Sequence, residues 1–215
     1  MRKLPDYTKG EEIMNMVTHI VGGAFGLIAL VLCLLKAADG GGADMAGAII
    51  YGLSMVSLYT LSSIYHGLRK GTGKKVLQIL DHCTIYALIA GTYSIICLTA
   101  FLPVYPLIGW GLLLWQWALA ALAITLTAID LKKYNAFSMI CYVGMGGSVI
   151  CFVPQTMEIM STAGFYLLLG GGIAYTIGAL LYGVGKKKRW IHSVFHIFVV
   201  LGSVLQFLSI YFYVL

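Results

Sequence analysis

Apolar residues run along this chain in long unbroken blocks, with no sustained alternation of polar and apolar positions. Seven such blocks fall at about 16–36, 45–68, 76–101, 107–129, 136–153, 163–185 and 190–214. Each is close to the length of about 20 residues that a helix needs to cross the hydrocarbon of a bilayer. Short polar or helix-breaking stretches separate them: Asp39 to Asp44 with its three glycines, Arg69 to Lys75, Pro103 to Pro106, Asp130 to Asn135, Pro154 to Ser161 and Lys186 to Arg189. A closed β-barrel also satisfies every backbone polar group in lipid, but it needs alternating runs of about 10 residues. The pattern therefore predicts an all-α polytopic membrane protein, a seven-transmembrane-helix bundle with residues 1–215 as a single domain. The first block follows Glu11 and Glu12 and lacks a small-residue cleavage site, so it is expected to stay as a span rather than be removed as a signal peptide.

Composition agrees: 60% of the 215 residues are hydrophobic and 10% charged, against about 25% charged in a soluble domain. The net charge of +6 has no polar surface on which to meet a nucleic acid, and its information lies in where the charges sit. Of the 14 Lys and Arg, 13 fall in the N-terminal tail or between blocks two and three, four and five, or six and seven. The positive-inside rule then predicts a cytoplasmic N-terminus and an outside C-terminus, with the cell inner membrane as the location. This orientation is opposite to that of a G-protein-coupled receptor, and the last block holds no lysine for a retinal Schiff base. Five cysteines, at 33, 83, 97, 141 and 151, lie in apolar blocks without a C-x-x-C pair, and read as small buried residues. Gly22-x-x-x-Gly26 predicts close backbone approach in the first span.

With that topology all five histidines lie near the cytoplasmic ends of their helices. His192 and His196, four apart, share a helix face, and His66 at similar depth on another helix offers a third imidazole. Three neutral imidazoles leave one open position on a tetrahedral Zn²⁺, the arrangement of a catalytic zinc site, although such ligands also accept Fe, Ni or Cu. Asp81 is the one acidic residue clearly inside a span, which marks it as functional, with the expected role of holding or deprotonating a water. Ser62, four before His66, is placed either to orient that histidine or to touch the water, or to bond its own helix backbone. His82, about 100° around the helix from Asp81, is not expected to share its focus. His19 belongs to a stripe of Glu12, Asn15, Gly22 and Gly26 whose part is support or packing.

These residues resemble a known family. Glu12-x-x-Asn15-x-x-Thr18-His19, Ser62-x-x-Tyr65-His66, Leu80-Asp81-His82 with Ile85-Tyr86, and His192-x-x-x-His196 are similar in order and spacing to the motifs of the hemolysin III family. That family is the bacterial branch of the progestin and adipoQ receptor group, the membrane homeostasis proteins, in a superfamily with alkaline ceramidases. The resemblance covers essentially the whole chain and implies seven helices, an inward N-terminus, a zinc ion held by His66, His192 and His196, and a water positioned by Asp81 with Ser62 nearby. The sequence departs from the pattern at Gln206, at Gly146-Gly147 and at Ser94-Ile95, none of them a proposed ligand.

The expected activity is zinc-dependent hydrolysis of a lipid amide or ester near the cytoplasmic face, with Asp81 and Ser62 catalytic and membrane lipid as substrate or ligand. The alternative is a non-enzymatic sensor or regulator of membrane state braced by a structural zinc. Nothing in the residues explains the pore formation that the family name records. A channel or proton-coupled transporter would place ionisable groups near the midplane, often in internal repeats, whereas here they gather at one face.

Overall fold

The computed structural model describes residues 4–185 and 188–215. Arg2, Lys3, Lys186 and Lys187, part of the charge pattern above, lie outside the described residues. Helix α1 (Lys9–Ala37) begins several residues before the first apolar block because Thr8 and Glu11 form a capping box. The Glu11 amide donates to Thr8 Oγ1 at 3.3 Å and the Thr8 amide to Glu11 Oε2 at 2.8 Å, so two N–H groups that a helix start leaves unpaired are satisfied. This early start makes Glu12 and Asn15 helical, which matters for the site.

Helix α2 spans Gly42–Gly67 and α3 spans Thr72–Ile96. A π-helical turn, Cys97–Phe101, and a further turn, Leu102–Val104, extend α3. Pro106 then opens α4 (Pro106–Asp130), where its missing N–H leaves no bond unmade. Helix α5 (Asn135–Gly146), a 3₁₀ turn (Ser148–Phe152) and α6 (Val153–Gly185) follow, and α7 is Ile191–Tyr213. Among the described residues there is no strand, and six helical stretches are long and apolar enough to cross a membrane.

The difference from the expected seven lies in the fifth and sixth blocks, which form one apolar stretch, Asn135–Gly183. Its expected separator, Pro154 to Ser161, is helical at the start, since proline is tolerated in a first turn. The interruption falls on Ser161 alone (φ 63°, ψ 164°). Near its start Tyr142 donates to the His82 carbonyl at 3.0 Å, and near its end the Tyr182 hydroxyl lies 3.0 Å from His82 Nε2. Its middle reaches elsewhere: the Tyr105 hydroxyl, at the start of α4, donates to Glu158 at 2.5 Å.

Helix α3 is the most enclosed of the six stretches. It packs on α2 and α4, α1 packs on α2 and α7, and α6 lies along α7. Gly22 is where α1 meets α2: a Cβ there would come within 2.5 Å of the Tyr59 ring, the close approach that the small-residue pair predicts. At one end Glu11 accepts from the Trp190 amide at 2.7 Å and Lys70 pairs with Asp6 at 2.8 Å, drawing together the N-terminal segment and the α2–α3 and α6–α7 loops. At the other end Lys36 donates to the Tyr211 carbonyl in the last turn of α7, where helix carbonyls lack partners. Four cysteines are buried as expected, but Cys151 is exposed, because the 3₁₀ turn rotates it off the packed face.

Candidate metal centre

Three helices meet where the sequence clusters its histidines. His66 occupies the last turn of α2, while His192 and His196 rise on successive turns of α7. One nitrogen from each falls within 4.8 Å of the others, and all three residues are buried. His196 Nε2 and His192 Nε2 are 3.1 Å apart.

The surroundings choose which nitrogens face this focus. His196 Nδ1 lies 3.2 Å from the Asn15 carbonyl, which only accepts, so Nδ1 carries the proton and Nε2 the lone pair. His66 Nδ1 donates to Glu12 Oε2 at 2.7 Å, which again leaves Nε2 as the lone-pair nitrogen. That Nε2 is buried without a hydrogen-bond partner among the described residues. The His192 and His196 Nε2 atoms are close enough to share a proton or a cation between them. Three converging imidazoles are a donor set that could hold a metal ion, and zinc is among the ions that accept such ligands; the carboxylate and carbonyl behind two of the rings are the kind of partners that orient metal-binding histidines.

Helix α1 supplies this support. Glu12 accepts from His66 through one carboxylate oxygen and from Lys74 Nζ, at 2.6 Å, through the other. The Lys74 side chain is only 3% exposed, and its ammonium also reaches the Leu68 carbonyl at 3.0 Å. Asn15 Oδ1 accepts from Ser193 at 2.6 Å, tying α1 to α7 between the two α7 histidines. Tyr7 stacks on His192 with ring centroids 4.8 Å apart, and burial pushes its phenol well above the usual range, so it stays neutral.

A cavity of about 230 Å³ opens from the cluster. Asp81, Ser62, His19, His82, His192 and His196 line its polar end. From there it follows α3 to Ile96 and α7 to Gln206, about 20 Å at 1.5 Å per residue, between predominantly apolar walls. At about 30 Å³ for each water-sized group it has room for about eight, in the narrow form that an extended acyl segment takes.

The structure thus brings His66, His192 and His196 to one focus and puts Asp81 and Ser62 on the wall of the adjoining cavity. His82 lines the same cavity as Asp81 despite its offset on the helix, but its ring is engaged by the Gln78 carbonyl and the Tyr182 hydroxyl. Sequence reasoning placed Glu12 and Asn15 in a stripe without assigning their contacts, and it missed Lys74, Tyr7 and Ser193. Lys74 was concealed among loop charges that topology alone explains. The short spacing from Asn15 to Glu12 on one helix face was the available signal for the support.

Comparison with known proteins bears on the family of the chain. The family model described as Haemolysin-III related matches residues 7–207. Hemolysin-3 of Bacillus cereus is 36% identical over 216 aligned positions, covering 100% of this chain and 96% of its own. A Hemolysin-3 homolog of Bacillus subtilis (strain 168) is 37% identical over 210 positions, with 96% of each chain covered. The human monocyte to macrophage differentiation factor is more distant, 24% identical over 174 positions, which cover 77% of this chain and 69% of that one. With the match running from the segment before α1 into the last turns of α7, this chain belongs to the haemolysin III family.

Proposed function

We propose that this protein is a membrane-embedded zinc hydrolase of lipid amides or esters, with its site near the cytoplasmic face. One observation carries the reading: the polar end of a long apolar cavity is lined by His192, His196, Asp81 and Ser62, with His66 within reach of the same two imidazoles. A ligand with an acyl chain and a polar head matches that shape.

The reading includes seven passes with the N-terminus inside. A straight helix over Asn135–Gly183 would be about 74 Å long, more than twice the hydrocarbon thickness of about 30 Å. Contacts of its two ends with His82, and of its middle with Tyr105, support a stretch that crosses out to Ser161 and back. The basic loops around the histidine end support a cytoplasmic site.

When bound by His66, His192 and His196, zinc would supply polarisation of an acyl carbonyl and a water acidified toward neutral pH. The chain's own residues do the rest. Apolar walls hold the acyl chain and keep bulk water from the scissile bond. Asp81 accepts a proton from the attacking water as its oxygen bonds to the acyl carbon, and returns the proton to the leaving nitrogen or oxygen as the C–N or C–O bond breaks. Products are a fatty carboxylate and an amine or alcohol. Ser62 donates its hydroxyl to the acyl head, and Glu12 takes the His66 N–H so that the other nitrogen stays available.

The test begins with metal content of detergent-purified protein beside a His192→Ala, His196→Ala double variant. About one zinc per wild-type chain, absent from the variant, is expected. Turnover of palmitoyl amides and esters should then exceed His66→Ala and Asp81→Asn controls; zinc-loaded wild type that turns over none overturns the hydrolase reading. A second reading, a zinc-braced sensor of membrane state, is favoured by the way the cluster joins α1, α2 and α7. It expects Asp81→Asn to leave the cellular phenotype intact while histidine variants lose stability and phenotype together.

A further inference from the structure

His19, on α1, is 3% exposed, and neither of its ring nitrogens has a hydrogen-bond partner among the described residues. Ser62, across the cavity on α2, is 1% exposed, and its hydroxyl is unpartnered in the same sense. Both line the polar end of the cavity beside His192 and His196. Buried polar groups without partners are unusual in folded proteins and call for a reason. Here both border the same interior space.

His19 stands outside the three-histidine group. Its ring lies on that of His196, centroids 3.7 Å apart and planes 20° from parallel, and meets Tyr59 edge-on at 5.1 Å. Stacking uses the faces of an imidazole and leaves the nitrogens in its plane. The ring is thus held without drawing on its polar atoms, and a neutral imidazole keeps one donor and one acceptor available. A residue whose part was packing alone would be satisfied by a phenyl ring in the same two contacts.

We propose that His19 is a ligand-binding residue: its ring N–H donates to the acyl oxygen of an amphiphile whose chain occupies the cavity, and the Ser62 hydroxyl donates to the same head. The shared chemistry is an acyl oxygen on a long chain, carried by a fatty carboxylate or by an acyl amide. The assignment rests on the reading of the cavity as a lipid site, and holds whether or not the bound molecule is hydrolysed.

The experiment uses the full-length, zinc-loaded protein in detergent and two radiolabelled probes, palmitate and N-palmitoylethanolamine, measured by scintillation proximity. Wild type, His19→Phe and His19→Gln are compared, with zinc content and thermal midpoint recorded for each. His19→Phe keeps the ring contacts and removes the donor, and should weaken binding about tenfold or more with zinc content unchanged. His19→Gln restores a donor and should recover part of the loss. A loss for palmitate alone identifies the carboxylate as the ligand, and a loss for the amide alone identifies the amide. Wild-type affinity for both probes in His19→Phe overturns the proposal, as does parallel loss of zinc, or a wild type that binds neither probe. Should His19→Phe fail to assemble, ¹⁵N-histidine-labelled wild type decides, with His82→Gln marking the signal of the other non-ligand histidine in the cavity: the remaining ring signal not displaced by zinc must shift on adding a probe, and its failure to shift overturns the assignment. Binding without turnover would sink the hydrolase reading and leave this one standing.

Discussion

Replacing Glu12 with glutamine changes one atom, yet it sets two donors against one acceptor. In the native protein one carboxylate oxygen takes the His66 N–H at 2.7 Å and the other takes Lys74 Nζ at 2.6 Å. A glutamine amide has a single acceptor oxygen, and its NH₂ must then point at either the His66 N–H or the Lys74 ammonium. A lost charge-assisted hydrogen bond costs about 1.5–3 kcal/mol, so Glu12→Gln should lower unfolding stability by about that amount. Losing the carboxylate behind His66 also makes its other nitrogen less basic. Such outer partners are worth about 10–100-fold in metal affinity, or about 1.4–2.8 kcal/mol. The assay is competition for zinc against a chelator of known affinity, with thermal unfolding of the metal-free protein in parallel. Lys74→Met provides the contrast. It removes a buried ammonium but leaves the carboxylate on His66, and the Glu12 side chain, 17% exposed, can take water on the vacated oxygen. Lys74→Met should therefore lose stability while weakening zinc less than Glu12→Gln. A folded Glu12→Gln protein with wild-type zinc affinity, or a Lys74→Met protein that loses as much as Glu12→Gln, would refute the reasoning.

Other perturbations test the packing and the surface. Gly22→Ala sets a methyl 2.5 Å from the Tyr59 ring, which is fully buried and tied through its hydroxyl to Ser203 at 2.6 Å, so thermal unfolding should report a loss of about 1–3 kcal/mol. Gly23→Ala, whose nearest neighbour would be 3.6 Å away, should be neutral or stabilising as helix propensity directs; equal losses at both positions would discredit the α1–α2 contact. Ser161→Gly removes the penalty on a side chain at positive φ, and should raise stability by about 1 kcal/mol, read as a higher thermal midpoint. Lys70 beside Asp6 holds that carboxyl below its ordinary value of 3.8. The pair's contribution is therefore present above about pH 4 and is lost as the pH falls below it. Because the pair is exposed the effect is small, and Asp6→Asn should flatten this pH dependence while lowering the midpoint at pH 7 only slightly.

Much of the site was legible because the residues that make it are rare in apolar surroundings. A pair of histidines four apart, a third at matching depth and an aspartate inside a span stand out against leucine and valine, and helical geometry does the rest. Glu12 and Lys74 were harder to read, because both fall in stretches where charge is already explained by the membrane boundary. Their pairing depends on a capping box that starts α1 early and on a lysine that folds back under α2, neither of which periodicity encodes. The break at Ser161 was hidden for another reason. Its neighbours are ordinary helix residues, whereas Pro154, the obvious breaker, sits in a first turn where it breaks nothing. His19 shows the limit of pattern: its place in an α1 stripe fitted packing, and only its burial without partners separates the two roles.

The cluster joins the beginning of the chain to its end. His66 is synthesised early, together with the α1 residues that surround it, whereas His192 and His196 emerge only with the last helix. Until α7 arrives, a nascent chain can pair Glu12 with His66 and Lys74, but it carries Asn15 and His19 without the Ser193 and His196 that face them, a costly arrangement in hydrocarbon. A chain truncated before Ile191 lacks the surface that shields these groups. A product that lacks α7 holds only one of the three imidazoles.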